Sequence, residues 1–150
     1  MLFRSVVLVA DCIPVLIADR AGTAVAIAHA GWRGLAGGVI ENTVGRLALD
    51  PRQMIAYLGP GIGPGAFEVG ADVRDAFIVR DAGARAAFAP RAPGKWLADL
   101  HLLARRRLLR AGVEEIHGGV TCTHSDARRF FSYRRDGTTG RMAALIWRTA

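Results

Sequence analysis

Short apolar runs alternate with segments of helical periodicity along this chain, and charged residues or glycines interrupt every run before it reaches the length of a membrane span. Four runs have the length and flanking residues of buried strands: residues 6–10, 13–18, 24–28 and 54–58. Apolar residues at helical spacing predict helices over residues 35–47 and 99–111, and residues 67–79 are also predicted to be helical. A mixed α/β (α+β) fold, with β-sheets flanked by helices, is therefore expected.

The segments between these elements give further predictions. The turn at residues 19–22 separates the second and third predicted strands, so these two are expected to form a hairpin. Glycines and prolines between residues 80 and 95 predict a long surface loop. A short strand is predicted at 115–120, and two more at 130–134 and 142–147 are predicted to flank a tight turn.

Composition limits the class of protein. The chain has 150 residues, of which 51% are hydrophobic and 22% are charged, so it can bury a core and is not expected to be disordered. No repeat or linker divides it, and a single domain over residues 1–150 is expected. Two cysteines are too few for a disulfide scaffold, and the apolar stretch after residues 1–5 is too short for a secretion signal. A cytoplasmic protein without a membrane partner is therefore expected.

The net charge of +7 lies mostly in the last third of the chain, where residues 101–150 hold ten basic and four acidic side chains. Four arginines fall on the predicted helix over 99–111, and a solvated helix face is the favoured interpretation over a binding patch. Nucleic acid is not an expected partner, because the aromatic residues that would stack on bases are not interleaved with the arginines.

A glycine-rich segment at residues 61–66 fits the G-x-G-x-x-A pattern of dinucleotide-binding loops. However, Pro60 and Pro64 have no amide hydrogen to offer a phosphate. The segment is therefore predicted to be a structural loop.

Cys12 and His29 form the sharper candidate site. Cys12 lies between the first two predicted strands and His29 ends the third, so the predicted hairpin can bring the two side chains together. A thiolate and an imidazole could bind zinc, or His29 could activate Cys12 as a nucleophile. Residue types alone equally allow a buried cysteine that acts as a small hydrophobe beside an unrelated loop histidine.

A second group of polar residues lies near the C-terminus. Arg134 and Arg135 precede a predicted tight turn and could hold phosphate bidentately. They could equally pair with Asp126 and Asp136 and stiffen the hairpin. The sequence around His101 and His117 carries no motif, and ordinary core or surface positions are expected for these two histidines.

Five segments together resemble one family, and they occur in its order: A-D-C-I-P-V-L at 10–16, H-A-G-W-R-G at 29–34, L-G-P and I-G-P at 58–64, F-E-V-G at 67–70, and residues 130–143. The chain resembles the YfiH family, also called the laccase-domain or multicopper polyphenol oxidase-like family. The resemblance implies a compact α/β fold, likened to that of cysteine hydrolases such as CNF. It also implies zinc-dependent phosphorolysis of purine nucleosides (adenosine, inosine, guanosine and methylthioadenosine) and adenosine deamination. Older family names imply copper and phenol oxidation, and another label is peptidoglycan editing factor.

The resemblance also implies a site. Cys12 and His29 match a cysteine and a histidine of the family's metal centre, whose third ligand is a histidine in an upstream V-H-G motif. That motif does not precede Cys12, so the chain is expected to lack the family's N-terminal portion, and residues 1–5 match nothing in it. His124 is the internal substitute for the third ligand.

A purine nucleoside and phosphate are the expected partners of this site. Three arginines are the candidate ligands of the substrate and its phosphate: Arg33, Arg134 and Arg135. The alternatives are a metal-free Cys12/His29 hydrolase acting on peptidoglycan precursors, or an inactive fragment.

Overall fold

A computed structural model of the protein describes residues 4–149, so the first three residues, which fall in the unmatched opening segment, lie outside the described part. The strands of the described part are β1 (Arg4–Val9), β2 (Ile13–Asp19), β3 (Val25–Ala30), β4 (Met54–Leu58), β5 (Glu68–Val69), β6 (Phe88–Ala92), β7 (Lys95–Ala98), β8 (Glu115–Gly118) and β9 (Met142–Trp147). The helices are α1 (Trp32–Gly37), α2 (Val39–Leu47), α3 (Ala71–Ile78), α4 (Leu100–Arg110) and α5 (Tyr133–Asp136), with 3-10 turns at Pro51–Gln53 and Ala82–Ala87.

These strands form three sheets, ordered β3-β2-β4-β8, β5-β7-β6 and β1-β9. The four-stranded sheet carries the core, because β2 is almost wholly buried and its apolar residues pack against the helices. Large apolar side chains of this sheet and of the helices are fully buried: Ile13, Ile17, Leu35, Ile40, Met54, Leu58, Phe77, Leu103 and Leu108. The predicted mixed α/β fold with sheets flanked by helices is therefore confirmed.

The predicted hairpin of β2 and β3 is present and fixes the geometry of the candidate site. The two strands are antiparallel, with Ile13 opposite Ala30 and Pro14 opposite His29. One further step in this register places Cys12 opposite Gly31. The turn between the strands is held by Asp19, whose carboxylate accepts hydrogen bonds from Ala24 N at 2.8 Å and Thr23 Oγ1 at 2.9 Å.

Helix α4 is one residue shorter at each end than the predicted range 99–111, and its arginines have a different environment from the predicted one. Asp99 caps it by accepting a hydrogen bond from Leu102 N at 2.9 Å. The expected solvated arginine face is wrong, because Arg106 makes a bidentate pair with Asp81, and Arg107 is buried and pairs with Glu41 at 3.0 Å. The charges of this face thus stabilise the packing of α4 against its neighbours.

Three other predictions of secondary structure differ from the structure. The single helix predicted over 35–47 is two helices, broken at Gly38, whose φ of +90° no continuous helix allows. The predicted helix over 67–79 begins only at Ala71, after the short strand β5. The loop predicted over 80–95 is wrong, because this range contains most of the β6–β7 hairpin. Pro90 does not prevent the strand, since β6 is an edge strand, where a missing amide hydrogen is tolerated.

The C-terminal hairpin predicted between residues 130–134 and 142–147 is also absent. Ser132 caps the short helix α5 by accepting a hydrogen bond from Arg135 N at 3.2 Å, so the first predicted strand does not form. The second predicted strand is β9, and it pairs antiparallel with β1 instead.

The β1–β9 ribbon has one apolar face exposed to solvent. Val6 and Leu8 of β1 and Leu145 and Trp147 of β9 each keep more than half of their surface accessible. The opposite face includes Val9, which is buried, and contacts β3.

Across residues 4–149, none of the helices has the length and apolar character needed to cross a membrane.

The glycine-rich segment is the structural loop that was predicted. Its amides are used inside the protein: Gly59 N donates to Pro14 O at 2.9 Å, and Ile62 N donates to Asp11 O at 2.8 Å. Gly63 N donates to Cys122 Sγ at 3.1 Å. These bonds leave no cradle of amides for a phosphate and join the β1–β2 turn to the segment around Cys122.

Candidate functional site

Cys12 and His29 lie on the same face of the β2–β3 hairpin. Residues opposite each other in an antiparallel pair point to one face, and so do residues two apart along a strand. Cys12 is opposite Gly31, and His29 precedes Gly31 by two positions, a spacing of about 6.6 Å along the strand. Continued by one residue, the register of the hairpin therefore puts positions 12 and 29 on one face.

Gly31 leaves the space that the Cys12 thiol occupies. A Cβ atom added to Gly31 would lie 2.7 Å from Cys12 Sγ and 3.8 Å from Cys12 Cβ, so the thiol sits directly over the glycine. Gly31 also caps helix α1 in an extended conformation at φ −80°. The tight passage from β3 into α1 thus shapes the site on the side of His29.

Burial and the Asp11 charge raise the pKa of the Cys12 thiol, and the Arg141 charge opposes them. The thiol is partly buried, and this burial raises its pKa above the ordinary value. The adjacent Asp11 carboxylate raises the pKa further, and the Arg141 guanidinium partly lowers it. Arg141 directly precedes β9, whose pairing with β1 carries it to the β1–β2 turn. Sequence reasoning assigned Arg141 no role, because nothing local in the sequence indicates the β1–β9 pairing.

The donor atoms at this site suit a borderline-soft metal ion such as zinc. A thiolate and an imidazole are preferred zinc ligands, and a catalytic zinc centre takes three protein ligands. Within residues 4–149, however, no three side chains among His, Cys, Asp and Glu are grouped to hold a metal ion. His124 therefore does not complete a set with Cys12 and His29 in this structure.

The three predicted substrate arginines lie in different surroundings. Arg33 is exposed on α1 and stacks on the Trp32 ring, with its Cζ 4.5 Å from the ring centroid. Arg134 is exposed, lies over Phe67 and donates one hydrogen bond to Glu68 O at 2.9 Å. Both keep guanidinium donors that can reach an anion.

Arg135 has a structural environment instead. Its guanidinium donates to the carbonyl oxygens of Thr123, His124 and Phe130, each at 3.0 Å. Its remaining donors bind both carboxylate oxygens of Asp136 at 2.8 Å. All five N–H donors of Arg135 are therefore engaged within the protein, which fits the alternative of a stiffened segment.

Cys122 lies in a separate group of donors. Burial raises the pKa of its thiol, but hydrogen bonds from Ser125 and from the amides of Gly63 and His124 outweigh burial and lower the pKa overall. The thiol lines a cavity of about 190 Å³ together with His101, which is buried as a core residue. His117 is exposed, as expected for a surface position, and its Nε2 lies 2.9 Å from Glu115 Oε1.

Replacing Gly31 with alanine should move the Cys12 thiol off the His29 face while changing stability little, since a cysteine side chain can rotate away from the new methyl group. We expect the affinity for zinc, measured by competition with a chelator, to fall by about tenfold or more. Gly37→Ala is the matched control, because no atom lies within 4 Å of a Cβ built there. Equal zinc affinity in the two variants would contradict this role for Gly31.

Comparison with known proteins identifies the family. The family model for multi-copper polyphenol oxidoreductase laccase matches residues 3–149. A protein of Escherichia coli (strain K12) named purine nucleoside phosphorylase YfiH is 58% identical over 141 residues, covering 94% of this chain and 58% of the relative. A purine nucleoside phosphorylase of Pseudomonas aeruginosa is 56% identical over 142 residues, covering 94% of this chain and 59% of the relative.

Solved structures agree with the sequence relatives. A Neisseria meningitidis protein of the DUF152 family superposes with a TM-score of 0.96 at 56% identity, over 98% of this chain and 61% of that one. YlmD of Geobacillus stearothermophilus gives a TM-score of 0.88 at 34% identity, over 98% of this chain and 57% of that one. The chain thus spans about three-fifths of the length of these proteins. From the family match, the high identities and the shared fold, this chain belongs to the YfiH family of laccase-domain proteins.

Proposed function

We propose that the chain carries the Cys12/His29 part of a zinc-dependent purine nucleoside phosphorylase centre. The proposal is supported by the register of the β2–β3 hairpin, which puts positions 12 and 29 on one face, and by the Cys12 thiol over Gly31. The reaction is proposed from the relatives of Escherichia coli and Pseudomonas aeruginosa, which are named purine nucleoside phosphorylases. Adenosine, inosine, guanosine and methylthioadenosine are the substrates we propose, with adenosine deamination as a second activity.

The donor set at this site, a thiol and an imidazole, is one that zinc prefers. Cys12 would bind zinc as a thiolate and His29 as a neutral imidazole, and no third donor is grouped with them within residues 4–149. When bound, zinc supplies Lewis-acid polarisation of the substrate. Because burial and Asp11 raise the pKa of Cys12, the free thiol is poorly activated as a nucleophile at neutral pH. Both the zinc centre and the alternative Cys12/His29 hydrolase of peptidoglycan precursors need Cys12 as a thiolate, so the alkylation experiment below separates them.

Arg33 and Arg134 are the proposed phosphate ligands, because their guanidinium groups keep N–H donors that can bind an anion. Arg33 follows His29 by four residues, and Arg134 is tied through its backbone amide to Asp11, the neighbour of Cys12. Their guanidinium groups can neutralise phosphate as the glycosidic bond breaks and phosphate oxygen bonds to the ribose carbon. Arg135 holds the segment that carries Arg134 in place.

Incubation of the purified protein with zinc, inosine and phosphate should yield hypoxanthine and ribose 1-phosphate in equal amounts, detected by chromatography. Since the chain spans 58% of the Escherichia coli relative, the same assay should include a chimera in which this chain replaces the matching 141 residues of that protein. A chimera without either product would overturn the proposed function. Zinc should also protect Cys12 from alkylation, whereas a metal-free hydrolase predicts a reactive Cys12 that zinc does not protect.

A further inference from the structure

Asp11 has a backbone conformation that is rare for its residue type. It lies in the β1–β2 turn, is only 8% exposed, and has a φ of +89°. The only other non-glycine residue with a positive φ in the described chain is Ala48, at the end of α2. Such a conformation costs free energy and persists only where the surroundings hold it in place.

Three hydrogen bonds hold Asp11 in this conformation, and all three are donated to its carboxylate by residues near the C-terminal end of the chain. Thr123 Oγ1 donates to Oδ1 at 2.6 Å, and Ser132 Oγ and Arg134 N donate to Oδ2 at 3.0 and 2.7 Å. Thr123 and Ser132 are fully buried. We call this group, Asp11 with Thr123, Ser132 and Arg134, the Asp11 latch.

Asp11 differs from an ordinary turn aspartate because its hydrogen-bond partners lie far away along the sequence. Asp19, which ends β2, is equally buried, but its carboxylate binds residues only four and five positions away. The partners of Asp11 are 112, 121 and 123 positions away. Asp19 thus closes its own turn, whereas Asp11 joins the turn next to Cys12 to distant segments.

We propose that Asp11 is a positioning residue that fixes the Cys12 thiol relative to Arg134. The proposal rests on the proposed function for the roles of these two residues. Asp11 orients Cys12 through the backbone, since the residues are adjacent, and it holds Arg134 through the amide of that residue. One carboxylate therefore sets the separation of the thiol and the guanidinium.

Only a carboxylate satisfies this arrangement. All three partners are donors, and a carboxylate accepts at both oxygens, whereas an asparagine would direct an NH₂ group at one set of donors. Glycine would relieve the backbone at φ +89° but would bind none of the three. The strained aspartate is thus explained by the bonds that its side chain makes.

The test compares Asp11→Asn with Asp19→Asn, which removes an equally buried turn carboxylate away from the site. Zinc affinity is measured by chelator competition, and the alkylation rate of Cys12 by mass spectrometry of the iodoacetamide-treated protein. We expect Asp11→Asn to lower zinc affinity by about tenfold and to speed alkylation of Cys12, because the loosened turn exposes the thiol. Asp19→Asn should leave both quantities close to those of the wild type, whatever its melting temperature.

A second variant, Thr123→Val, separates the loss of a hydrogen bond to Asp11 from misfolding of Asp11→Asn and from its loss of the Asp11 charge. Thr123→Val keeps the shape of a fully buried residue and the charge of Asp11 while removing one donor, so it should shift both readouts in the same direction by less. Equal effects of Asp11→Asn and Asp19→Asn, or none from Asp11→Asn and Thr123→Val, would overturn the proposal. If zinc fails to protect Cys12 in the wild type, the proposed function fails, and the alkylation rates of the apo variants still decide the role of Asp11.

Discussion

Replacing Cys12 with serine should remove zinc from the protein and reduce nucleoside phosphorolysis by about a hundredfold or more, a loss of about 2.7 kcal/mol in transition-state stabilisation. A serine hydroxyl is smaller than a thiol and remains protonated at neutral pH, so it cannot replace a thiolate as a zinc ligand. Zinc content by elemental analysis and turnover of inosine in the chimera measure the two effects.

Cys122→Ser is the matched control for this substitution. Cys122 is also a free, partly buried cysteine, but its thiol bonds to Gly63 and Ser125 and does not lie on the face of His29. We expect this variant to retain zinc and activity. Full activity of Cys12→Ser, or loss of zinc from both variants alike, would show that Cys12 does not hold the metal.

Replacing Gly118 with alanine should lower the free energy of unfolding by about 3–5 kcal/mol. Gly118 ends β8 opposite Leu58 of β4, with a φ of +73°. An added Cβ would lie 2.3 Å from Leu58 O and 3.0 Å from the Tyr57 ring, so the edge of the main sheet would have to shift. Urea unfolding followed by circular dichroism gives the loss.

Gly137→Ala separates the cost of the clash from the cost of the backbone conformation. Gly137 has a φ of +70°, and no atom lies within 4 Å of a Cβ built there. Its substitution should therefore cost only the strain of an alanine at φ +70° and ψ −77°, about 1–3 kcal/mol. If both variants lost the same free energy, the contact with Leu58 O would not limit the packing of β8 against β4.

The sequence could predict those parts of the molecule that depend on neighbouring residues. The β2–β3 hairpin follows from two apolar runs and one turn, and its register puts positions 12 and 29 on one face. Helix α4 follows from its periodicity and from Asp99 as its cap. The break at Gly38 lies in a Gly37-Gly38 pair inside the predicted helix, a local signal that helical periodicity hides.

The features that could not be predicted depend on partners far along the chain. Pairing of β9 with β1 instead of with residues 130–134 rests on contacts between opposite ends of the sequence. The same holds for the bonds of Asp11 and for Arg141, which reaches the vicinity of Cys12 only through that pairing. Local propensity carries no information about such long-range contacts, so the half of the candidate site built from β1 and β9 needed the structure.

The β1–β9 ribbon also determines the order in which the protein can fold during synthesis. β1 leaves the ribosome before β9 and has no pairing partner until β9 follows it, and Asp11 likewise lacks its hydrogen bond from Ser132 until that residue, 121 positions later, has been synthesised. The β2–β3 hairpin can close at once, whereas the long loop between β1 and β9 closes last and slowly. Until then the apolar residues of β1 remain open to chaperones and to other nascent chains, and Cys12 acquires its final surroundings only after β9 has been synthesised.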